Sequence, residues 1–215
     1  AAAGAALAAR SGATLVGFGH ATGLAAVDAL VAALIDLTDR PVPDRVRHWR
    51  ARLADGLLDS HFVLGGARIA VAGEPEHLVA VTTLLAEVGA HPVAAVCPTA
   101  AGILDQAPCD QVMIGDLVDL EQLAADAGAE LVIASSHARH LAARIGAGHL
   151  VAGFPMADRL GAQLRGAAGY RGSLQLLFDV ANRLLDHRSQ RHAQAYADRS
   201  GPAPADAGAT EGVTW

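Results

Sequence analysis

Lysine is missing from this chain: all 16 of its Lys+Arg residues are Arg. With so many Ala and Gly alongside, this reads as coding bias, and no function is drawn from it. The absence does exclude a P-loop, because no Gly-rich turn carries the Lys-Ser/Thr pair that cradles phosphates. Cysteine is nearly as scarce, with only Cys97 and Cys109 present. A structural zinc or an iron–sulfur cluster usually needs four ligands, so these two cannot enclose one by themselves. Aromatic residues reach only 4% although 52% of the chain is apolar. Net charge is −6, and the only basic concentration in the sequence, Arg45, Arg47, Arg50 and Arg52, is offset by acidic neighbours. Nucleic acid needs a basic face and is excluded as a partner. Charges, Gly and Pro interrupt every apolar run before it can span a bilayer, so no membrane partner is expected. The Ala-rich start has neither an initiating Met nor a basic lead-in, so no signal peptide is readable and a cytoplasmic location is expected. Starting in mid-pattern, the chain is also expected to be a piece of something longer.

What is present is a regular alternation from Arg68 onward. Arg68–Gly73, Pro92–Cys97, Gln111–Gly115, Glu130–Ala134 and His149–Gly153 read as strands. Helices are expected at about 75–88, near 100–104, at 117–127 with Asp116 as cap, from Ser135-Ser136 to about Gly146, and from Tyr170 to about His187. Apolar strands separated by helices imply an α/β fold, a Rossmann-like parallel five-stranded sheet with helices on both faces. Two helices, Leu24–Leu37 and Pro43–Phe62, precede it as part of an incomplete neighbouring domain. The expected organisation is 1–64 for that domain and its connector helices, 65–187 for the Rossmann-like domain, and 188–215 for a disordered tail. Right-handed crossovers gather the strand-to-helix turns at one edge, where function would sit.

Several constellations compete there. Gly17, Gly19 and Gly23 look like a dinucleotide fingerprint, with Asp36 where a ribose-binding acid falls, and would make the chain a nucleotide-binding oxidoreductase. The second strand that must end in that acid is absent from the pattern, so a tight turn entering a helix is the simpler reading. Glu74 opens a helix, where the dipole favours a carboxylate whatever the function. Ser135, Ser136, His137 and Asp158 suggest nucleophilic catalysis, yet there is no Gly-x-Ser-x-Gly elbow and Ser commonly caps helices. His137 and His140 share a helical face without a carboxylate or Cys pattern beside them. In the Arg-bearing helix, Val46, Trp49, Leu53 and Leu57 form one apolar stripe; it reads as a connector between domains or subunits, or as a solvated helix packed by that stripe.

Ordered segments then point to a family. Thr22–Ala29, Pro41-Val42-Pro43, Leu57–Phe62, Gly65-Gly66, Arg68–Pro75, Gly153-Phe154-Pro155, Asp158-Arg159 and Gly169-Tyr170-Arg171-Gly172 resemble the nitrogenase component 1 family. Asp158–Ala162 and the Gly169–Gly172 run look most like its β-type cofactor-assembly scaffold branch; the nitrogenase molybdenum–iron protein β chain is the nearest alternative. The resemblance implies a subunit of three nucleotide-fold-like domains, of which this chain would be the C-terminal portion. It implies an α-type scaffold partner in an α2β2 assembly that takes an iron–sulfur precursor from a radical enzyme acting as cluster donor. With the nitrogenase iron protein, that precursor becomes the iron–molybdenum cofactor. Such a subunit is a scaffold with no activity alone. Cys97 and Cys109 match none of the family's ligand positions, so no metal ligand and no catalytic residue is carried over. Candidate strand-end loop residues are Glu74, Ser136, His137, Asp158, Arg159 and Arg171. Asp158 and Arg159 are expected to pair across the loop, and Arg171 to project near a helix N-terminus. Ala157 stands where an aromatic often precedes Asp158, and Arg165–Ala168 also depart from the family's run.

Overall fold

The computed structural model describes residues 2–200. Its centre is a five-stranded parallel sheet: β1 (Arg68–Ala72), β2 (His91–Cys97), β3 (Val112–Ile114), β4 (Leu131–Ala134) and β5 (Gly148–Val151). The strand order is β3-β2-β1-β4-β5, every pairing is parallel, and each expected strand is present. From β1 the chain runs outward to β3, then returns to β4 on the other side. The loops after β1 and β4 therefore diverge, opening a crevice at the strand ends.

The two faces differ in the size of their side chains. Ile69, Val71, Leu131, Ile133 and Leu150 point to one core, while Ala70, Ala72, Ala94, Val132 and Ala134 point to the other. On the small-residue face lie α5 (Leu117–Asp126) and α6 (Arg139–Arg144), which bring Leu120, Ala124, Leu141 and Ala142 to that core. Asp116 caps α5 as expected, accepting from Val118 N at 2.7 Å, while Asp119 reaches back to the Asp116 amide at 2.9 Å; this is a complete capping box.

The large-residue face is covered by α4 (Pro75–Glu87), α3 (Asp44–Leu64) and α7 (Gly169–Ser200). The Arg-bearing helix α3 packs along α7. Leu53 and Leu64 are fully buried in the same core as Ile69, with Trp49 packed at its margin. Gly56 makes the close approach possible, because a Cβ there would lie 2.3 Å from Leu174 Cδ1. A second helix, α2 (Leu24–Thr38), adds Val27 to this core.

Two elements depart from expectation. An additional helix, α1 (Ala2–Ser11), buries none of its residues; Ala favours helix without any apolar stripe to announce it. The expected disordered tail is helical for its first part, since α7 continues to Ser200. No Gly or Pro interrupts residues 173–200, and Arg188 anchors the continuation to Glu130 at 3.0 Å and to the Val63 carbonyl at 3.0 Å. The remainder of that tail, 201–215, lies outside the described residues. At the sheet's β3 rim, Val112, Met113 and Ile114 are exposed. Among the described residues, no helix is long and apolar enough to cross a membrane.

Candidate functional site

The strand-end edge carries two adjoining cavities, and Phe154 lines both. One, of about 230 Å3, runs over the ends of β1, β2 and β4 and the turn after β3, lined by Gly73, Glu74, Pro98, Asp116 and Ser135. The other, of about 220 Å3, lies beneath the loop after β5, between Leu150, Met156 and Leu176. Gly153 makes that loop possible: its φ of +89° is a left-handed conformation that side chains resist.

His77, on the first turn of α4, lines the second cavity. Its ring is confined by two glycines, since a Cβ would meet its Cδ2 at 2.9 Å from Gly73 and 3.4 Å from Gly153. Burial pushes its pKa below the ordinary value, so the imidazole is neutral near pH 7. Its Nε2 is buried and has no hydrogen-bond partner among the described residues. Arg165 and Asp179 pair at 2.7 Å on the cavity wall. The arrangement can hold a small, largely apolar group with one polar atom against the imidazole. It places no nucleophile beside a base.

Of the expected loop residues, the fold unites Ser136 and Asp158. The Ser136 hydroxyl and the Arg139 guanidinium both donate to the Asp158 carboxylate, and the Ala157 amide donates to Ser136 Oγ at 2.9 Å. The Ser136 hydroxyl and then Arg139 hold the Asp158 pKa down to about 2. Arg139 thus replaces Arg159 as the partner of Asp158: α6 begins directly behind the loop, whereas adjacent residues on a loop diverge. Arg159 instead lines a groove with His149 and Arg183. The catalytic reading of Ser135, Ser136, His137 and Asp158 has no geometric support. Ser136 is bonded to a carboxylate, His149 meets the Ser135 carbonyl at 3.2 Å, and His137 is exposed. Glu74 is exposed on the rim of the first cavity.

Arg171 lies elsewhere. Its guanidinium stacks over Trp49, 5.4 Å from the ring centre, a cation–π contact made from the first turn of α7. Neighbouring Tyr170 donates to Asp28 at 2.6 Å, and Arg50 grips the same carboxylate through Nε at 2.9 Å and Nη2 at 2.7 Å. Arg50 holds the Asp28 pKa down, while burial and Asp28 push the Tyr170 pKa up to about 12. The Gly169–Gly172 motif is therefore a clasp joining α7 to α2 and α3.

The glycine-rich turn binds its own protein. Ala13–Val16 forms no strand, and Asp36 is exposed within α2. The amides of Leu24 and Ala25 donate to Glu87 carboxylate oxygens at 2.7 and 2.9 Å. A carboxylate from α4 thus fills the helix N-terminus where a fingerprint would receive pyrophosphate, so the nucleotide reading of Gly17, Gly19 and Gly23 is set aside. A resident iron–sulfur cluster does not fit these residues either. Cys97 is buried with Sγ donating to the Thr99 carbonyl, Cys109 donates to the Gln111 carbonyl, and burial pushes the Cys109 thiol pKa up. Among the described residues, no three His, Cys, Asp or Glu side chains gather as a metal site.

Sequence reasoning missed His77, Glu87, Arg139 and His149. Only His77 carried a local signal, standing one helical turn beyond Gly73 at a strand end. The others act through partners distant in sequence.

The profile of the nitrogenase component 1 type oxidoreductase family matches residues 1–185. The chain belongs to that family. Among curated proteins, this nitrogenase component 1 family member is 46% identical over 166 residues to the nitrogenase iron–molybdenum cofactor biosynthesis protein NifN of Mesorhizobium japonicum, covering 77% of this chain and 36% of that protein. It is 41% identical over 178 residues to NifN of Rhizobium meliloti, covering 82% and 40%. Among solved structures, "Nitrogenase Cp1 at pH 6.5" superposes with a TM-score of 0.71 at 26% identity, over 77% of this chain and 39% of that one. The chain thus spans about two fifths of the length of these relatives. The matched region takes in both the clasp and the strand-end loops.

Proposed function

We propose that this chain is part of a NifN-like β-type scaffold subunit on which the nitrogenase iron–molybdenum cofactor is built. Identity of 46% to a NifN, against 26% to a nitrogenase structure, carries this reading. The site chemistry accords with it: the strand-end edge has cavities and an exposed apolar loop, with Phe154, Leu160 and Leu164 largely solvent-facing, as a surface buried in an assembly would have. It offers no nucleophile–base pair. The iron–sulfur precursor is then cargo, held by the assembly and not by cysteines of this chain. The partners are an α-type, NifE-like subunit in an α2β2 assembly, the nitrogenase iron protein and a NifB-type cluster donor, in the cytoplasm.

A chimera tests the reading. Residues 13–187 replace the matched segment of Rhizobium meliloti NifN, and the same residues replace the corresponding segment of a nitrogenase β chain. The expected result is cofactor maturation and nitrogen-dependent growth from the first chimera alone. A NifN chimera that accumulates normally and binds the α-type subunit, yet leaves apo-nitrogenase without cofactor, would overturn the proposal. So would growth supported only by the β-chain chimera.

A further inference from the structure

On the β5 side of the sheet, adjoining through Val151 the cavity beneath the loop, runs a groove between α6 and α7. Its first half, about 390 Å3, is lined by Arg139, Arg159, His149, Arg183 and Asp186. Its second half, about 500 Å3, is lined by His187, Gln190, Arg191 and Gln194. Ala143 and Ala147 belong to both halves, so the two are continuous. The groove exists because its floor, Ala143, Gly146 and Ala147, is small.

The α7 wall is one stripe: Arg183, Asp186, His187, Gln190, Arg191 and Gln194 recur at helical spacing. From Arg183 to Gln194 it extends about 16 Å along the helix. Its charge departs from that of the chain, which is −6 overall. Arg139 is neutralised by Asp158, but Arg159, Arg183 and Arg191 appear in none of the ion pairs among the described residues. Arg183 spends its Nε on the His149 carbonyl at 2.8 Å, leaving its terminal nitrogens available. Asp186 is the one carboxylate lining this wall.

His187 supplies a second, independent sign of a ligand. It is 8% exposed, and its buried Nε2 lacks a hydrogen-bond partner among the described residues. Facing it are Arg183 and Arg191 on its own helix, Glu130 ahead of β4 and the Gly146 backbone ahead of β5. An anion between the two guanidiniums would offset their repulsion of a charged imidazole.

We propose that this groove binds an extended acidic segment of a partner protein, with carboxylates meeting Arg159, Arg183 and Arg191 and with His187 protonated on binding. The extended form follows from the groove's length. Arg183 and Arg191 are separated by about 12 Å of helix rise, which carboxylates about four residues apart on an extended chain can match. Burial and the two neighbouring arginines depress the His187 pKa in the free protein. Binding raises it, so affinity increases as pH falls through the pKa of the complex. The assignment stands independently of the scaffold reading.

The probe is a fluorescein-labelled octapeptide of alternating Glu and Ser, titrated into the 215-residue chain by anisotropy. Saturable binding is expected, weakening with added salt, and Arg183→Gln and Arg191→Gln should each lower affinity about tenfold. Arg45→Gln and Arg52→Gln remove the same charge from α3 and should leave affinity unchanged. The His187 NMR titration should move to higher pH with peptide bound. Equal losses from both pairs of variants, or a motionless His187 titration, would overturn the proposal. So would tripolyphosphate displacing the peptide at lower concentrations than an unlabelled copy does, because the ligand would then be a compact anion.

Discussion

Tyr170, Asp28 and Arg50 link three helices through one carboxylate. Removing the hydroxyl with Tyr170→Phe leaves Arg50 in place but strips one charge-assisted bond, at an expected cost of about 1.5 kcal/mol in denaturant unfolding. The pH dependence has a definite sign. Because the folded-state Tyr170 pKa is raised to about 12, its contribution is complete below the ordinary tyrosine value of about 10 and is lost as pH rises through about 12. Asp158 behaves oppositely. With its pKa down to about 2, its contribution is complete above the ordinary value of about 3.9 and is lost as pH falls through about 2. Carboxyl-carbon NMR should place its inflection there, and Ser136→Ala should raise it, because the Ser136 hydroxyl is the larger cause. An inflection unmoved by that substitution would contradict the assigned geometry.

Among the elements, α2 owes its start to a residue from another helix. Glu87→Ala would leave the Leu24 and Ala25 amides without their carboxylate and is expected to cost about 1 kcal/mol. Faster amide exchange in the first turn of α2, with α4 unaffected, would confirm that route. No local signal in the sequence could reveal this cap, since Glu87 and Leu24 meet only through the tertiary fold. The same limit explains Asp158: its sequence neighbour Arg159 was the evident partner, but chain reversal delivered Arg139. Strands were legible because buried parallel strands are apolar on both faces, and Asp116 was legible because a capping box is local. The reach of α7 was not, for its apolar stripe stops at His187 while helix-compatible Arg, Gln and Ala carry it onward. Truncation after Arg188 should therefore change stability by no more than about 0.5 kcal/mol, yet abolish acidic-peptide binding by removing Arg191 and Gln194.

Taken whole, the molecule is a layered sheet whose helices close both faces but not both rims. The α/β class and the turns' gathering at one edge followed from periodicity alone, whereas the burial of α3 against α7 did not, because the stripe through Leu53 showed an apolar face without showing which element covers it. At the strand ends, the residues seen in sequence were anchors for the loop, and the cavity it covers rests on His77.

The two rims are chemically unlike. Beside β5 stand guanidiniums, so another strand approaching there meets a field of charge; β3 presents Val112, Met113 and Ile114 to solvent. Growth by strand addition requires a sheet that is adhesive at both rims, and this sheet is adhesive at its β3 rim. Copies joined β3 to β3 about a two-fold axis would leave two repellent margins outermost, and the process would halt at a pair. Sedimentation of the isolated chain should show a concentration-dependent dimer, and Ile114→Lys should return it to the monomer.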